Sequence, residues 1–328
     1  MALCENPFMV GQFPAPCGKC VPCIKSRKNK WKHRILFESN DHEFSSFVTL
    51  TYDNDHLRFQ NEKTGEWTLP TLVPSDVRNF LKRLRRAVSP TRIRFYACGE
   101  YGDRNWRPHY HLALFGYEPC YRGQTDKRRH SQGYSCCPPC DLLREKWSTG
   151  RGKNKKNLGA IDNAPLNEKT AAYIAGYITK KLTKDTDPRL EGRYPEFQRM
   201  SNRPGLGFNA VEPIVEALFS QFGKSMLNQH GDVPNFLISG GKKIHLDRYI
   251  RSKLQDGIGV DDTTKQRSLE AFKQELFLMY MDEVTDPETG KIDYDKAKGL
   301  KKFIQDKDAQ QILNIKTLTN IYKRSRNL

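Results

Sequence analysis

Residues 109–117 constrain the fold of this chain more than any other stretch. They read His-Tyr-His-Leu-Ala-Leu-Phe-Gly-Tyr. Successive side chains of a β-strand point to opposite faces. His109 and His111 therefore share one face, while Tyr110, Leu112 and Leu114 point the other way, into a core. A second strand reads over 92–98, and the turn between the two carries Gly102-Asp103. If 94–101 and 109–117 pair as antiparallel neighbours, Glu100 lands beside the histidines. Two imidazoles on one strand face make a platform for a divalent metal, and a carboxylate beside them leaves coordination positions open. That set suits Mg²⁺ or Mn²⁺ held partly by water and a phosphate oxygen. Two ordinary histidines on a half-exposed strand, with Glu100 a surface carboxylate, is the other reading.

The sequence downstream adds a helix. Asn167 can cap a helix running to about 184. On a helical wheel Ala171, Ile174, Ile178 and Leu182 form an apolar stripe, and Tyr173, Tyr177, Lys180 and Lys184 fall opposite it. A phenol with its usual pKa near 10 is a weak nucleophile. A nearby cation, for which Lys180 is best placed, stabilises phenolate. Equally, the tyrosines and lysines of that face can be a solvated basic surface.

Charge points to a polyanionic partner. The 55 Lys and Arg against 38 Asp and Glu give a formal charge of +17. The basic clusters recur at 25–34, 82–86, 127–129, 151–156, 180–184 and 323–326 rather than in one tail. With 17 Phe and 14 Tyr the chain can build a core, so its mean hydropathy of −0.75 reflects a charged surface. No apolar run approaches the ~20 residues that span a bilayer. The N-terminus has no secretory pattern, so a cytoplasmic protein is expected.

The remaining landmarks are local. Residues 47–52 read as a strand. Pro74 opens a helix capped by Ser75 or Asp76, with Val77, Phe80, Leu81 and Leu84 inward and its Lys and Arg residues outward. A strand follows near 194–201, a helix near 210–222, and a hairpin about Gly240-Gly241. Residues 1–45 read as a Cys-rich basic arm and helix, 46–250 as the main domain with a long insertion at about 118–165, and 251–328 as a helical region. Nine cysteines without an export signal argue against disulfides. Cys17, Cys20 and Cys23 form C-x-x-C-x-x-C, and Cys137 and Cys140 a second C-x-x-C beside Cys136. Four thiolates drawn from the two motifs are the donor set of one structural Zn²⁺; free or buried thiols are the alternative.

Taken together, 47–53 (FVTLTYD), 99–116 (GEYGDRNWRPHYHLALFG) and 173–181 (YIAGYITKK) resemble the three motifs of the HUH endonuclease superfamily. The PCGKCVPC stretch and 200–207 (MSNRPGLG) resemble the replication initiators of gokushovirus-type microviruses, small single-stranded DNA phages. The resemblance covers residues 16–207. It implies an α+β fold: an antiparallel ferredoxin- or RRM-like sheet with helices on one face, the histidines on its central strand, and a helical C-terminal region. It also implies Glu100, His109 and His111 as metal ligands, Tyr173 and Tyr177 as paired nucleophiles, and Lys180 as auxiliary cation. The activity implied is rolling-circle initiation, in which a tyrosine nicks the single-stranded viral origin DNA, becomes a 5′-phosphotyrosine and leaves a 3′-hydroxyl primer. Host DNA polymerase would extend that primer. With no Walker A sequence in the chain, the helicase too would come from the host. No small-molecule cofactor and no membrane partner are expected. Two other readings stay open: a non-enzymatic binder of single-stranded nucleic acid, stacking bases on Trp31, Trp106 and Tyr110, and a plasmid relaxase or transposase on the same scaffold.

Overall fold

The computed structural model describes the chain except residues 1–3, 11–12, 103–104, 151, 178–185, 222, 225–226, 228–231, 240, 288 and 294–328. The chain divides into two compact units. One is Lys28–Ala217 with Asn235–Leu254; the other comprises the described residues of Met1–Arg27, Leu218–Pro234 and Gln255–Leu328.

The first unit is built on a five-stranded antiparallel sheet, as α+β folding requires. Its strands are β1 (Ser45–Thr51), β2 (Arg94–Tyr101), β3 (Pro108–Phe115), β4 (Ile161–Pro165) and β5 (Phe197–Met200), in the order β4-β1-β3-β2-β5. The histidine strand β3 is central, as expected. Hydrogen-bonded registers pair Thr49 with His111, Thr51 with His109, and Glu100 with His109. Because the strand period is two, these registers put Thr49, Thr51, Glu100, His109 and His111 on one face.

Helices cover both faces, where the resemblance implied one. Over the Tyr110-Leu112-Leu114 face lie α2 (Pro74–Ala87) and α3 (Pro138–Lys146), burying Val77, Phe80, Leu81, Leu84 and Leu143 against Val48, Leu50 and Trp147. Over the other face lie α1 (Val21–Asn40) and α4 (Glu168–Gly176), which close Ile35, Ala171, Ile174 and Ala175 onto Tyr96, Cys98, Ala113 and Phe115. The reason is visible in β3 itself. Beyond His111 its second face carries Ala113 and Phe115, both fully buried, so that face needs its own cover.

Two local expectations change. The cap of α2 is Val73, with no side-chain cap and Pro74 supplying the first turn. Asp76 is drawn away to accept hydrogen bonds from the Tyr52 hydroxyl (2.8 Å) and Arg58 Nε (2.9 Å). The stretch read as an insertion ends in β4, an edge strand of the main sheet paired with β1. Its short length and mixed Ile-Asp-Asn-Ala-Pro composition hide the alternation. The expected hairpin forms by pairing of Phe236–Ser239 with Lys242–His245. Among the described residues no helix is long and apolar enough to cross a membrane.

The 200–207 motif finds its physical reason in a buried ion pair. Glu38 of α1 and Arg94 of β2, both almost fully buried, are joined through Arg94 Nε and Nη2. Around them, Arg94 Nη2 donates to Pro204 O (2.9 Å) and the Gly207 amide to Glu38 Oε2 (2.7 Å). Gly207 stands at φ +77°, where a side chain would be strained. Burial alone would raise the Glu38 carboxyl, but donors from His42, Arg94 and Gly207 hold it down at about 2. A carboxyl depressed below its ordinary value of 4.5 adds stability that is complete above that pH and is lost as pH falls toward 2. Between pH 7 and pH 3 the loss from this group should be about 2 kcal/mol. Urea melts should show that increment in the parent chain and not in Glu38→Gln. At pH 7 that variant should cost about 3–5 kcal/mol, because it leaves Arg94 buried without its partner charge.

Candidate active site

On the His109–His111 face of the sheet a cleft of about 640 Å³ opens between the strands and the end of α4. It is lined by Glu100, His109 and His111, by Thr49 and Thr51, by Tyr173 and Tyr177, and by Lys28 and Lys127, with Gly102 and Gly176 at its rim. Five of the six side chains singled out from the sequence thus meet in one cavity. The sixth, Lys180, lies outside the described residues, as does Lys184.

Each histidine is held from behind. Thr49 Oγ1 lies 3.0 Å from His111 Nδ1, and Thr51 Oγ1 lies 3.2 Å from His109 Nδ1. Threonines on β1 can do this because the register sets them directly opposite the histidines. With Nδ1 engaged, each ring offers Nε2, and His111 Nε2 is 2.9 Å from Glu100 Oε1. Glu100 and His111 are nearly buried, at 5% and 6% exposure, which strengthens their interaction. The start of β3 is anchored too: Arg107 Nη2 donates to Tyr52 O (2.6 Å) and Nη1 to Asn54 Oδ1 (2.9 Å). That gives the Arg107 of the RPHYH motif a structural role beside its histidines.

The helix carrying the tyrosines begins as expected. Asn167 accepts from the amides of Lys169 and Thr170, and the Thr170 hydroxyl accepts from the Asn167 amide. Such a reciprocal cap typically contributes about 1 kcal/mol. The described helix ends at Gly176, with Tyr177 as its C-terminal cap. The tyrosines do not face open solvent. Tyr177 stacks on His111 (4.9 Å between centroids, 6° between planes), and Tyr173 meets Tyr177 edge-on at 5.0 Å. Phe47 closes the group, stacked on His111 at 5.7 Å and edge-on to Tyr173 at 5.8 Å. Tyr173 remains half exposed while Tyr177 is half-buried. Burial first, then the neighbouring Tyr173 and Glu100, push the Tyr177 phenol well above its ordinary value. Ionising it thus calls for a cation.

Lys28 and Lys127 are the cations of the described cleft. Lys28 Nζ comes within 3.6 Å of where a Cβ would stand on Gly176, beside the end of α4. Lys127 pairs with Asp162 of β4 at 2.6 Å. Both belong to basic clusters visible in the sequence, but nothing in their spacing ties 28 or 127 to 109. Thr49, Thr51 and Phe47 were missed likewise, although their alternation on one strand was the available signal. Of the stacking aromatics considered above, Tyr110 is ruled out. It is fully buried on the opposite face, its hydroxyl accepting from the Val73 amide at 2.7 Å.

As a donor set, two imidazoles with engaged Nδ1 atoms and one carboxylate suit a divalent cation that keeps open positions. The set is more open than the groups of His, Cys, Asp or Glu donors that close to within 4.8 Å of one another. Among the described residues those are two cysteine quartets. They correct the single zinc site expected from the C-x-x-C motifs, since Cys17, Cys20 and Cys23 gather with Cys4, and Cys136, Cys137 and Cys140 with Cys120.

A two-histidine central strand facing a two-tyrosine helix across an antiparallel sheet defines a class of protein, and comparison with known proteins agrees with it. Residues 45–182 match the family model of the replication-associated protein ORF2, a span holding every residue named above for the cleft except Lys28. The replication-associated protein ORF2 of Spiroplasma virus 4 is 30% identical over 267 residues, 80% of this chain and 75% of that protein. The corresponding protein VP4 of Bdellovibrio phage phiMH2K is 25% identical over 251 residues, 74% of this chain and 71% of its own. ORF4 of Chlamydia phage 1 is 31% identical over 188 residues, 53% of this chain and 40% of its own. The chain belongs to this family of phage replication-associated proteins. No solved structure gives a significant match.

Proposed function

We propose that this protein starts rolling-circle replication of a single-stranded DNA phage by nicking and rejoining its origin strand, with Tyr173 and Tyr177 as nucleophiles. The observation that carries this reading is the stack of Tyr177 on His111 at 4.9 Å, with Tyr173 edge-on beside both. It sets two hydroxyl-bearing side chains at the lip of a histidine–carboxylate donor set. Two nucleophiles suit alternation: one stays joined to DNA while the other opens the regenerated origin.

Glu100, His109 and His111 would hold Mg²⁺ or Mn²⁺, whose bound form supplies Lewis-acid polarisation of the scissile phosphate. The chain's own residues do the rest. Thr49 and Thr51 orient the imidazoles. Lys28 and Lys127 offer charge to the phosphates that flank the scissile one, and Lys28 beside the end of α4 offsets charge on a phenolate. In the step itself a tyrosine oxygen bonds to phosphorus and the P–O3′ bond breaks. The phenolic proton is balanced, in net, by the one gained on the leaving 3′-hydroxyl. The product is a 5′-phosphotyrosine and a primer end for a host polymerase, on DNA unwound by a host helicase, in the host cytoplasm.

The test is a covalent adduct. The protein is incubated with origin-strand oligonucleotide and Mn²⁺ and run on a denaturing gel. A retarded, protease-sensitive band dependent on the divalent ion is expected. Tight binding without such a band would overturn the enzymatic reading in favour of a non-covalent single-strand binder.

A further inference from the structure

Eight of the nine cysteines gather into two quartets, Cys4, Cys17, Cys20 and Cys23 in one unit and Cys120, Cys136, Cys137 and Cys140 in the other. We propose that each quartet binds one zinc ion through four thiolates, so that the chain carries two structural zincs.

The sulfur spacing carries this reading. Within each quartet every Sγ lies within 4.8 Å of the others. The measured pairs are 3.6 Å (Cys4–Cys20), 3.8 Å (Cys120–Cys136) and 3.7 Å (Cys120–Cys137). Zn–S bonds of about 2.3 Å in a tetrahedron set neighbouring sulfurs about 3.8 Å apart. A disulfide would bring two of them to about 2.05 Å, and no cysteine here is in one. An iron–sulfur cluster needs room for several atoms between its thiolates. Cysteines merely filling a core as small hydrophobes have no reason to converge four at a time, twice.

The surroundings are those of thiolates rather than thiols. In the first quartet the amides of Lys19 and Cys20 both donate to Cys17 Sγ at 3.4 Å, and the Cys17 amide donates to Cys4 Sγ at 3.2 Å. Gly18, at φ +72°, makes the tight turn that aims those amides. Cys23 sits in the first turn of α1, where the helix end favours negative charge. In the second quartet all four residues are buried, and Cys137 is the cap residue of α3. Amide donors of this kind hold ligand sulfurs in orientation.

Each ion would fasten a segment that has few other means of staying in place. The first ties the N-terminal segment to the helix Asp262–Val284, where the Cys4 amide donates to the Tyr280 hydroxyl at 2.9 Å and Phe277 and Met281 pack on the quartet. The second clamps 120–140, the stretch that lays Thr125 against Asn163 of β4 and brings Lys127 to the cleft.

The metal content of the full chain tests this, independently of the cleft's chemistry. Elemental analysis of protein purified without added metal should find two zincs per chain. The His109→Ala/His111→Ala variant should still hold two, while Cys20→Ser and Cys140→Ser should each hold one. If either serine variant fails to fold, X-ray absorption on the parent chain decides: four sulfur neighbours at about 2.3 Å are expected. One zinc or none, iron in place of zinc, or nitrogen and oxygen neighbours would overturn the proposal.

Discussion

Replacing Tyr173 and Tyr177 together with phenylalanine is expected to abolish the covalent protein–DNA adduct and to lower nicking by at least about 10³-fold, the order reached when a covalent nucleophile is deleted from a preorganised site. Phenylalanine is the informative replacement. The two rings contribute packing to His111 and Phe47, with aromatic pairs worth about 0.5–1.5 kcal/mol each, and Phe keeps those contacts while removing only the hydroxyls. Oligonucleotide affinity, carried by basic residues such as Lys28 and Lys127, should therefore survive. Each single variant keeps one nucleophile and should still form an adduct, but should fail to complete the alternation that joins a unit-length circle. Nicking undiminished in the double variant would remove both tyrosines from the chemistry.

Exchange of His111 for alanine is expected to lower ion-dependent cleavage by about 10²–10⁴-fold, equivalent to about 3–5 kcal/mol of transition-state stabilisation. His111 is the most connected of the donors: its Nε2 faces Glu100, its Nδ1 faces Thr49, and its ring supports Tyr177. Because that substitution also removes packing, Thr49→Val is the finer probe. Valine preserves the shape of the strand and deletes the hydroxyl behind Nδ1. The expected consequence is a roughly 10–100-fold rise in the Mn²⁺ concentration needed for half-maximal cleavage, with thermal stability little altered. Kinetics across a Mn²⁺ titration would separate the two effects. A Thr49→Val variant with unchanged ion dependence would sink the orienting role of the hydroxyl.

Much of this was readable in the residues. The alternation in 109–117 put His109 and His111 on one strand face and Tyr110, Leu112 and Leu114 in a core. An antiparallel turn then placed Glu100 beside them. Asn167 announced the helix that carries the tyrosines. These succeed because strand and helix periods are local properties that one segment displays by itself. The wheel was right that Tyr173 and Tyr177 lie off the apolar stripe. It could not tell that their side of the helix turns toward the sheet.

Other features were out of reach for a related reason. Lys28 meets Gly176 across a long stretch of intervening chain, and Lys127 reaches the same cleft from a loop. Cys4 and Cys120 stand outside any C-x-x-C spacing, so the fourth member of each quartet emerges only when the chain has folded. Strand β4, five residues of mixed polarity, is a strand because β1 presents an open edge to it.

By itself, then, the sequence determined which side chains carry chemistry and which face of its own strand or helix each occupies, since both follow from residue type and backbone period. Only the tertiary structure decided which faces meet: Tyr177 on His111, Thr49 behind it, Lys28 and Lys127 at the rim, and eight cysteines sorted into two fours. Those choices depend on sheet register and on helices closing over buried Ala113 and Phe115, and such long-range packing leaves no periodic trace in the chain.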